Sequence, residues 1–159
     1  MLLVVDIDGC LADWKARDKA VGGSPGRSDI KAYKAYVENL MDDSRLICDQ
    51  PVPGMQTLLR ALSAREGVEI VYLTGRSEKH RLTTARWLLL HRFPEADIVM
   101  RGPTDWRKAP TFKAEKMNLF KNKYESIMAI EDEPEVVKTF TSLGLTVLQV
   151  HYETGVNHG

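Results

Sequence analysis

The sequence predicts an α/β fold, a three-layer α/β/α sandwich around a mainly parallel, Rossmann-like sheet. Five continuously apolar runs of strand length recur along the 159 residues, and segments with helical periodicity separate them. Strands that are apolar throughout are typical of parallel sheets that helices cover on both faces. Because a chain of this length commonly buries one core, we expect a single domain over residues 1–159.

The five apolar runs are the predicted strands. They are Leu2–Val5, Val68–Leu73, Ile98–Met100, Ile127–Ile130 and Leu145–Val150. Apolar residues recur every three or four positions in the segments between them, which are therefore predicted helices. These segments are 54–66, 78–91, 112–121 and 134–143. In the helix over 78–91, the spacing places Leu82, Leu88 and Leu89 on the buried face.

One segment interrupts this alternation. Residues 14–50 carry a turn cluster at 22–26, and a helical run from about Asp29 to Met41 follows it. The turn cluster lacks the Gly-Lys-Ser/Thr ending of a phosphate-binding loop and follows no predicted strand. We therefore expect a loop that leads into a small helical cap insert over about residues 14–50.

The composition argues against membrane and disulfide-stabilised proteins. No apolar run approaches the ~18 residues that span a bilayer, and the run Met1–Val5 is shorter than the apolar region of a signal peptide. Two cysteines, Cys10 and Cys48, do not make a disulfide framework. We therefore expect a cytoplasmic protein without a membrane partner.

The 22 basic and 22 acidic side chains balance, which argues against a broad nucleic-acid-binding surface. Their distribution is uneven, however. Residues 76–123 hold 12 basic and 5 acidic side chains, a net charge of +7, while residues 1–75 carry −2 and residues 124–159 carry −5. A positive segment of this size suits the binding of a single phosphorylated end.

Polar and charged side chains follow the predicted strands. Asp6 and Asp8 follow the first strand, and Glu131 and Asp132 follow the fourth. Because ligands bind beyond the carboxyl ends of parallel strands, we expect these four carboxylates to converge at one edge of the sheet. Oxygen ligands suit a hard divalent ion such as Mg²⁺.

Other residues at this edge indicate phosphate chemistry. Thr74 ends the second strand, and Lys113 opens the helix between the third and fourth strands. A lysine and a hydroxyl beside a magnesium site suit a phosphoryl group. At the strand end, Asp6 can act as a nucleophile towards phosphorus, and Asp8, two residues on, can serve as general acid and then as general base.

In this order, the motifs resemble those of the haloacid dehalogenase (HAD) phosphatase superfamily. The matching elements are Asp6-x-Asp8-Gly9, the strand ending in Thr74, the isolated Lys113 and the pair Glu131-Asp132. The resemblance implies a HAD-like fold and a phosphoaspartyl mechanism, in which Asp6 attacks phosphorus and Asp8 protonates the leaving oxygen and later activates water. Two positions depart from the common pattern, since Cys10 stands where threonine is commonest and Glu131 where many members have aspartate.

The resemblance also assigns the metal and the phosphoryl oxygens. It implies Mg²⁺ held by Asp6, the backbone carbonyl of Asp8 and Asp132, and it leaves open whether Glu131 is a ligand or lies behind the ligands. It implies that Thr74 and Lys113 bind the phosphoryl oxygens. Lys116 is the alternative to Lys113.

A closer resemblance is to the 3′-phosphatase domain of bacteriophage-type polynucleotide kinase/phosphatases. The matching runs are Thr74-Gly75-Arg76, Met100-Arg101, Asp105-x-Arg107-Lys108 and Lys113-x-Glu115. This resemblance implies contacts of Arg76 and Arg101 with the substrate phosphate. Gly75 and Arg107 are further candidates for substrate binding, and an ion pair with Asp105 in the loop explains Arg107 equally well. Trp14 and Trp106 flank the proposed site, where they stack on bases or cover the core.

The expected function is therefore magnesium-dependent removal of a 3′-phosphate from nucleic-acid ends. The alternative substrate is a small metabolite such as a mononucleotide. A response-regulator receiver domain also carries an acidic cluster, a threonine and a lysine, but its phosphoacceptor aspartate ends a central strand. The third strand here ends in Arg101, which disfavours a receiver domain. The sequence does not indicate the oligomeric state.

Overall fold

The computed structural model describes residues 1–153, which form seven strands and seven α-helices. The strands are β1 (Leu2–Val5), β2 (Ala12–Asp13), β3 (Gln50–Pro51), β4 (Glu69–Ser77), β5 (Asp97–Arg101), β6 (Ile127–Glu131) and β7 (Thr146–Gln149). The helices are α1 (Lys15–Ala20), α2 (Ile30–Leu40), α3 (Asp43–Leu46), α4 (Met55–Ser63), α5 (Arg81–Leu90), α6 (Ala109–Lys121) and α7 (Pro134–Ser142). None of these helices is both long enough and apolar enough to cross a membrane.

Five of the strands form a parallel sheet in the order β5–β4–β1–β6–β7. The central strand, β1, pairs with β4 and β6, so that Val5 lies beside Tyr72 on one side and Ile130 on the other. All four residues of β1 are buried. The parallel arrangement brings the carboxyl ends of β1, β4 and β6 to the same edge of the sheet.

Two apolar clusters cover the two faces of the sheet. Alternate side chains of β1 enter different clusters: Leu3 and Val5 pack with Trp87, whereas Leu2 and Val4 pack with Phe112. Because both faces are covered by helices, the molecule is a three-layer sandwich, and the predicted α/β class with a mainly parallel sheet is confirmed.

The bounds of two elements differ from the prediction in ways that affect the site. β4 continues past Thr74 to Ser77, because its last residue pairs with Arg101 after a register shift. α6 begins at Ala109 rather than at 112, with Pro110 in its first turn, where the fixed φ of proline favours the helix. Lys113 therefore lies in the second turn of α6 and does not open the helix.

The predicted buried face of α5 is wrong. Leu82 is 82% exposed and Leu89 is 77% exposed, and Leu88 is the only one of the three leucines that is buried. Thr84 and Trp87 are buried with it, because both have polar partners inside. The Trp87 indole N–H donates to the backbone carbonyl of Asp49 at 2.8 Å, and the Thr84 hydroxyl accepts from Arg76 at 3.3 Å.

The segment between β1 and α4 contains more structure than the sequence indicated. The three helices α1, α2 and α3 lie between β2 and β3, which pair antiparallel through Ala12–Pro51 and Asp13–Gln50. This small two-stranded sheet joins the two ends of the segment. We call residues 14–49 the insert. The helix expected from about Asp29 to Met41 is α2, with Asp29 as its N-cap.

The orientation of α5 can be tested with two leucine truncations. Leu88→Ala removes a side chain from the core beside Trp87 and is expected to lower the free energy of unfolding by about 2–5 kcal/mol. Leu82→Ala removes an exposed side chain and is expected to change it by less than about 0.5 kcal/mol. Urea denaturation of both variants measures the difference. Equal destabilisation by the two would contradict the observed orientation.

Candidate active site

Three buried charges meet at the carboxyl edge of the sheet. Asp6 directly follows β1, Glu131 ends β6, and Lys113 reaches both from α6. The Lys113 ammonium lies 2.9 Å from Asp6 Oδ1 and donates to Glu131 Oε2 at 2.6 Å, although its side chain is only 3% exposed. The two carboxylates come within reach of one ammonium because Val5 and Ile130, which precede them, are register partners.

The charge state of this group follows from burial and from the pairing. Burial would lower the pKa of Lys113, but the charges of Asp6 and Glu131 raise it above its ordinary value, so the side chain stays a cation. Burial raises the pKa of Asp6 well above its ordinary value, the charge of Lys113 opposes this, and the neighbouring carboxylates add to it. Asp6 is thus a carboxyl group whose ionised form depends on nearby positive charge.

Both carboxylate oxygens of Glu131 are bound by the chain itself. One accepts from Lys113, and the other accepts from the backbone N–H groups of Asp132 and Glu133, each at 3.2 Å. Lys116, the alternative lysine, lies further out and donates to Glu115 at 3.1 Å. The structure therefore brings Lys113 to Asp6 and leaves Lys116 outside this group of charges.

Two arginines bind Asp8. Arg76 donates from Nε to Oδ2 at 2.9 Å and from Nη2 to Oδ1 at 2.8 Å, and Arg17 also donates to Oδ1. Although burial raises the pKa of Asp8, the charges of Arg76 and Arg17 hold it well below its ordinary value. The guanidinium of Arg76 is fully buried on Asp8, Thr84 and Asp49, a position that sequence analysis did not anticipate for a predicted phosphate-binding residue.

Arg17 and Asp49 belong to the same group of charges, although no sequence motif indicated either residue. The Arg17 Nε donates to both oxygens of Asp49 at 3.0 Å, and the Arg76 Nη2 donates to Asp49 at 3.4 Å. The two missed residues lie near opposite ends of the insert, so neither has a local motif. Their buried positions depend on the folding of the insert. In the sequence, each is recognisable only as a charged residue next to a segment that packs in the folded protein.

Gly9 allows Asp132 to approach the end of β1. Its φ is +86°, and a Cβ built on it would lie 1.9 Å from Asp132 Oδ2, closer than any real contact. Ligand atoms of Asp6, Cys10 and Asp132 lie within 4.8 Å of one another, and the Cys10 thiol donates to Asp132 at 4.0 Å. Only a residue without a side chain at position 9 is compatible with this cluster.

This cluster fits a divalent cation. Burial and the charge of Glu131 raise the pKa of Asp132 to about 7, which reflects carboxylates that repel one another. Burial, with the adjacent carboxylates, raises the pKa of the Cys10 thiol far above its ordinary value, so that sulfur stays protonated and the donors are carboxylate oxygens. Oxygen donors of this kind prefer hard ions such as Mg²⁺. Glu131 lies outside the cluster, because its oxygens are bound elsewhere.

The remaining predicted residues lie around this centre. Thr74 is buried, and its hydroxyl accepts from the backbone N–H of Arg76 at 3.2 Å. Arg101 donates from Nε to the backbone carbonyl of Gly75 at 3.2 Å, which holds its guanidinium beside Gly75. Arg107 is exposed at the rim, where it pairs with Asp105 at 2.7 Å and with Glu115 at 2.6 Å.

A cavity of about 860 Å³ opens above these groups, between the insert and the edge of the sheet. Its acidic lining includes Asp6, Asp8 and Asp132, with Lys113 beside them. Cations and aromatic rings contribute the rest of its distinctive chemistry. They are Arg17, Arg27, Lys79, Arg101, Arg107 and Lys108, and Trp14, Tyr33, Tyr36 and Trp106. Four further carboxylates also line the cavity, those of Glu38, Asp105, Glu133 and Glu135. Such a cavity can hold an anion against Lys113 while rings and cations contact the group that carries it.

A model of the polynucleotide kinase PNKP phosphatase domain matches residues 32–154 of the chain. The chain belongs to this family. It is a HAD phosphatase, as the order of the motifs predicted, and its expected likeness to the PNKP phosphatase domain is confirmed. The matched segment contains Thr74, Lys113, Glu131 and Asp132, whereas Asp6 and Asp8 precede it.

Solved structures of low sequence identity share the fold of this PNKP-type phosphatase. A chain of the Pnkp1/Rnl/Hen1 complex is 21% identical with a TM-score of 0.65, and the match covers 97% of this chain and 47% of that one. A β-phosphoglucomutase-like protein from Thermotoga maritima is 14% identical with a TM-score of 0.60, covering 98% and 88%. A phosphoglycolate phosphatase-like protein from Lactobacillus plantarum is 13% identical with a TM-score of 0.63, covering 92% and 84%.

The phosphatase spans about half the length of the Pnkp1 chains that it matches. No curated protein is similar enough in sequence to match it.

The close approach of Asp132 to Gly9 can be tested by substitution. Gly9→Ala places a methyl group on the Asp132 carboxylate and is expected to weaken Mg²⁺ binding by about 10-fold or more, because the oxygen donors separate. Gly54→Ala is the matched control, since Gly54 also has a positive φ, +82°, with open space around it. Backbone strain should cost both variants about 1 kcal/mol of stability. Gly9→Ala should lose more than Gly54→Ala, because its methyl group also displaces the Asp132 carboxylate. Isothermal calorimetry with Mg²⁺ separates them, and equal affinity in both variants would refute the role of Gly9.

Proposed function

We propose that this phosphatase removes the 3′-phosphate from nucleic-acid ends through a phosphoaspartyl intermediate formed on Asp6, with Mg²⁺ as cofactor. The observation that carries the proposal is the composition of the cavity. Its floor holds the pair Asp6 and Lys113, which suits a phosphoryl group, and its mouth holds cations that have no carboxylate partner among residues 1–153. Those cations are Arg27, Lys79 and Lys108. They suit further phosphates of a polymer.

In the first step, a carboxylate oxygen of Asp6 attacks phosphorus, and the bond from phosphorus to the 3′-oxygen breaks. Lys113 binds an equatorial phosphoryl oxygen, and the hydroxyl of Thr74, three residues before the end of β4, supports the same group. Mg²⁺, held by the carboxylates of Asp6 and Asp132 and by the backbone carbonyl of Asp8, would supply charge that offsets the phosphoryl oxygens. Glu131, in this proposal, orients Lys113 and does not bind the metal.

Asp8 transfers the protons. Arg17 and Arg76 hold it as a carboxylate when the site is free, and the negative charge of an arriving phosphate raises its pKa so that it takes up a proton. Asp8 then protonates the leaving 3′-oxygen. In the second step, the resulting carboxylate accepts a proton from the water that attacks phosphorus, and this attack releases inorganic phosphate and restores Asp6.

The positive charge at the mouth supports a polymeric substrate. Arg27 of the insert and Arg101 of β5 line the same cavity. Burial lowers the pKa of Arg101, Asp105 opposes this, and the charge of Arg27 adds to the lowering, so the two cations repel each other. An anion between them would relieve their repulsion. The matched family model is that of a polynucleotide kinase phosphatase domain, and a similar solved chain belongs to an RNA repair complex, which supports the same substrate class.

One observation favours a smaller substrate. The Lys34 ammonium of α2 lies 4.9 Å from the centroid of the Trp106 ring, so the insert reaches across the mouth of the cavity. A cavity closed at this contact would suit a mononucleotide, which is the alternative proposal.

A substrate panel distinguishes the two. We expect phosphate release from a 3′-phosphorylated oligonucleotide and little release from its 5′-phosphorylated counterpart. The value of kcat/KM for the oligonucleotide should fall steeply as salt rises, because displaced counterions drive polymer binding, and that for a nucleoside 3′-monophosphate much less. Turnover of the mononucleotide without the oligonucleotide would establish the alternative.

Asp6→Asn and chelation of metal by EDTA test the chemical step on whichever substrate is turned over. Asp6→Asn should lower kcat by about 10³-fold or more, because the amide cannot attack phosphorus. EDTA should abolish turnover, and added Mg²⁺ should restore it. Turnover that persists in EDTA would exclude the proposed cofactor, and an active Asp6→Asn variant would exclude the nucleophile.

Substitution of Asp49 is expected to change the pH dependence of kcat. The charge of Asp8 adds to the burial that raises the pKa of Asp49, so the two carboxylates repel each other. Because this repulsion is mutual, Asp49→Asn should lower the pKa of Asp8. Because Asp8 must be protonated to release the 3′-oxygen, the alkaline limb of the kcat profile should move to lower pH, and kcat at neutral pH should fall about 10-fold.

Asp97→Asn is the matched control, since Asp97 is exposed at the amino end of β5, at the opposite edge of the sheet. Its pH profile should equal that of the unaltered enzyme. A loss of kcat in Asp49→Asn without a shift of the alkaline limb would show that Asp49 supports the fold alone.

A further inference from the structure

Trp106 lies at the mouth of the cavity and is not part of a hydrophobic core. It belongs to the loop between β5 and α6, lines the cavity and is 39% exposed, and it is a member of neither apolar cluster. Tyr33, on α2 of the insert, lines the same cavity. Two aromatic rings from different elements thus face the space above the phosphate-binding groups. Packing in a hydrophobic core does not explain their positions.

Cations accompany both rings. The Lys34 ammonium lies 4.9 Å from the centroid of Trp106, and the Arg27 guanidinium lies 4.7 Å from the centroid of Tyr33 and donates to its hydroxyl at 3.1 Å. Neither Lys34 nor Arg27 has a carboxylate partner within residues 1–153. Aromatic faces beside unpaired cations are the combination that binds single-stranded nucleic acid, because bases stack on the rings and phosphates meet the cations.

We propose that Trp106 and Tyr33 form a subsite for the terminal nucleobase of the substrate whose 3′-phosphate lies at Asp6. Lys34 and Arg27 lie over one face of the two rings and meet the phosphodiester that precedes this nucleoside, and the base stacks on an opposite face. The subsite rests on the proposed function and deepens it, since it selects a substrate that carries a base. Stacking is tolerant of sequence, because every base has an aromatic face, so the subsite recognises a nucleoside end without reading which base it is.

The proposal differs from a purely mechanical role of the same residues. If the contact of Lys34 with Trp106 only held the insert against the loop, loss of the Trp106 ring would weaken binding of every substrate equally. If Trp106 stacks on a base, its loss weakens binding only of substrates that have a terminal base.

The experiment therefore uses two oligonucleotides that differ at one position. Both carry a 3′-phosphate, and the second has a tetrahydrofuran abasic residue at its 3′ end. We expect the unaltered enzyme to have a KM about 10-fold lower for the oligonucleotide with the base. Trp106→Ala should abolish this preference with little change of kcat, and Trp106→Phe, which keeps a ring, should retain most of it.

Lys34→Gln is the second control, because it removes the cation and leaves the ring. It should raise KM for both oligonucleotides and keep the preference for the base. The proposal is wrong if the unaltered enzyme shows no preference or if Trp106→Ala keeps it. Thermal melting verifies that each variant is folded, and Trp106 is exposed enough for its loss to be tolerated.

A separate pair of small substrates distinguishes failure of this subsite from failure of the proposed function. The pair is a nucleoside 3′-monophosphate and the corresponding tetrahydrofuran 3-phosphate without a base. If the enzyme does not act on oligonucleotides but prefers the nucleotide to the compound without a base, and Trp106→Ala removes this preference, the base subsite is supported and the polymeric substrate is excluded. If the enzyme removes the 3′-phosphate from both oligonucleotides equally well, the proposed function is supported and the base subsite is excluded.

Discussion

The buried contact of Lys113 with Asp6 and Glu131 is the constraint on which the rest of the structure depends. A buried ammonium is costly unless its partners are close, and both carboxylates lie within 2.9 Å of it. This requirement fixes the position of α6, which Phe112 and Met117 hold on the sheet, and it requires β1 and β6 to be neighbours. The same contact leaves Asp6 beside a cation, and the proposed function assigns the phosphoryl group to this pair.

A second network couples the insert to the centre of the sheet. Arg17 of α1 and Arg76 of β4 bind Asp8, and both arginines also bind Asp49, which precedes β3. Every buried polar side-chain atom among the described residues has a hydrogen-bond partner, so this network is satisfied despite its charge. The insert is therefore more than a cover over the cavity. Its folding determines the charge around Asp8, and its residues Arg27 and Tyr33 line the cavity.

The apolar pattern of the sequence predicts the burial of β1 correctly but not the buried face of α5. β1 is apolar throughout and lies between two partners, so its assignment needed no knowledge of its surroundings. In α5, apolar spacing favoured Leu82 and Leu89, whereas the folded chain buries Thr84 and Trp87. The hydrogen bonds from the Trp87 indole to the insert and from Arg76 to Thr84 determine which face of α5 points inward. A hydropathy pattern does not include hydrogen bonds of this kind.

The sequence by itself determined the alternation of strands and helices and the edge at which the chemistry lies. It did so because both follow from local rules: apolar runs form buried strands, and residues at the carboxyl ends of parallel strands gather at one edge. The tertiary structure alone decided that Lys113 rather than Lys116 meets Asp6 and that Glu131 binds a lysine. It also decided that Arg17 joins Asp8 to Asp49. These contacts join elements far apart in the chain, so their geometry exists only once the helices and the insert have packed.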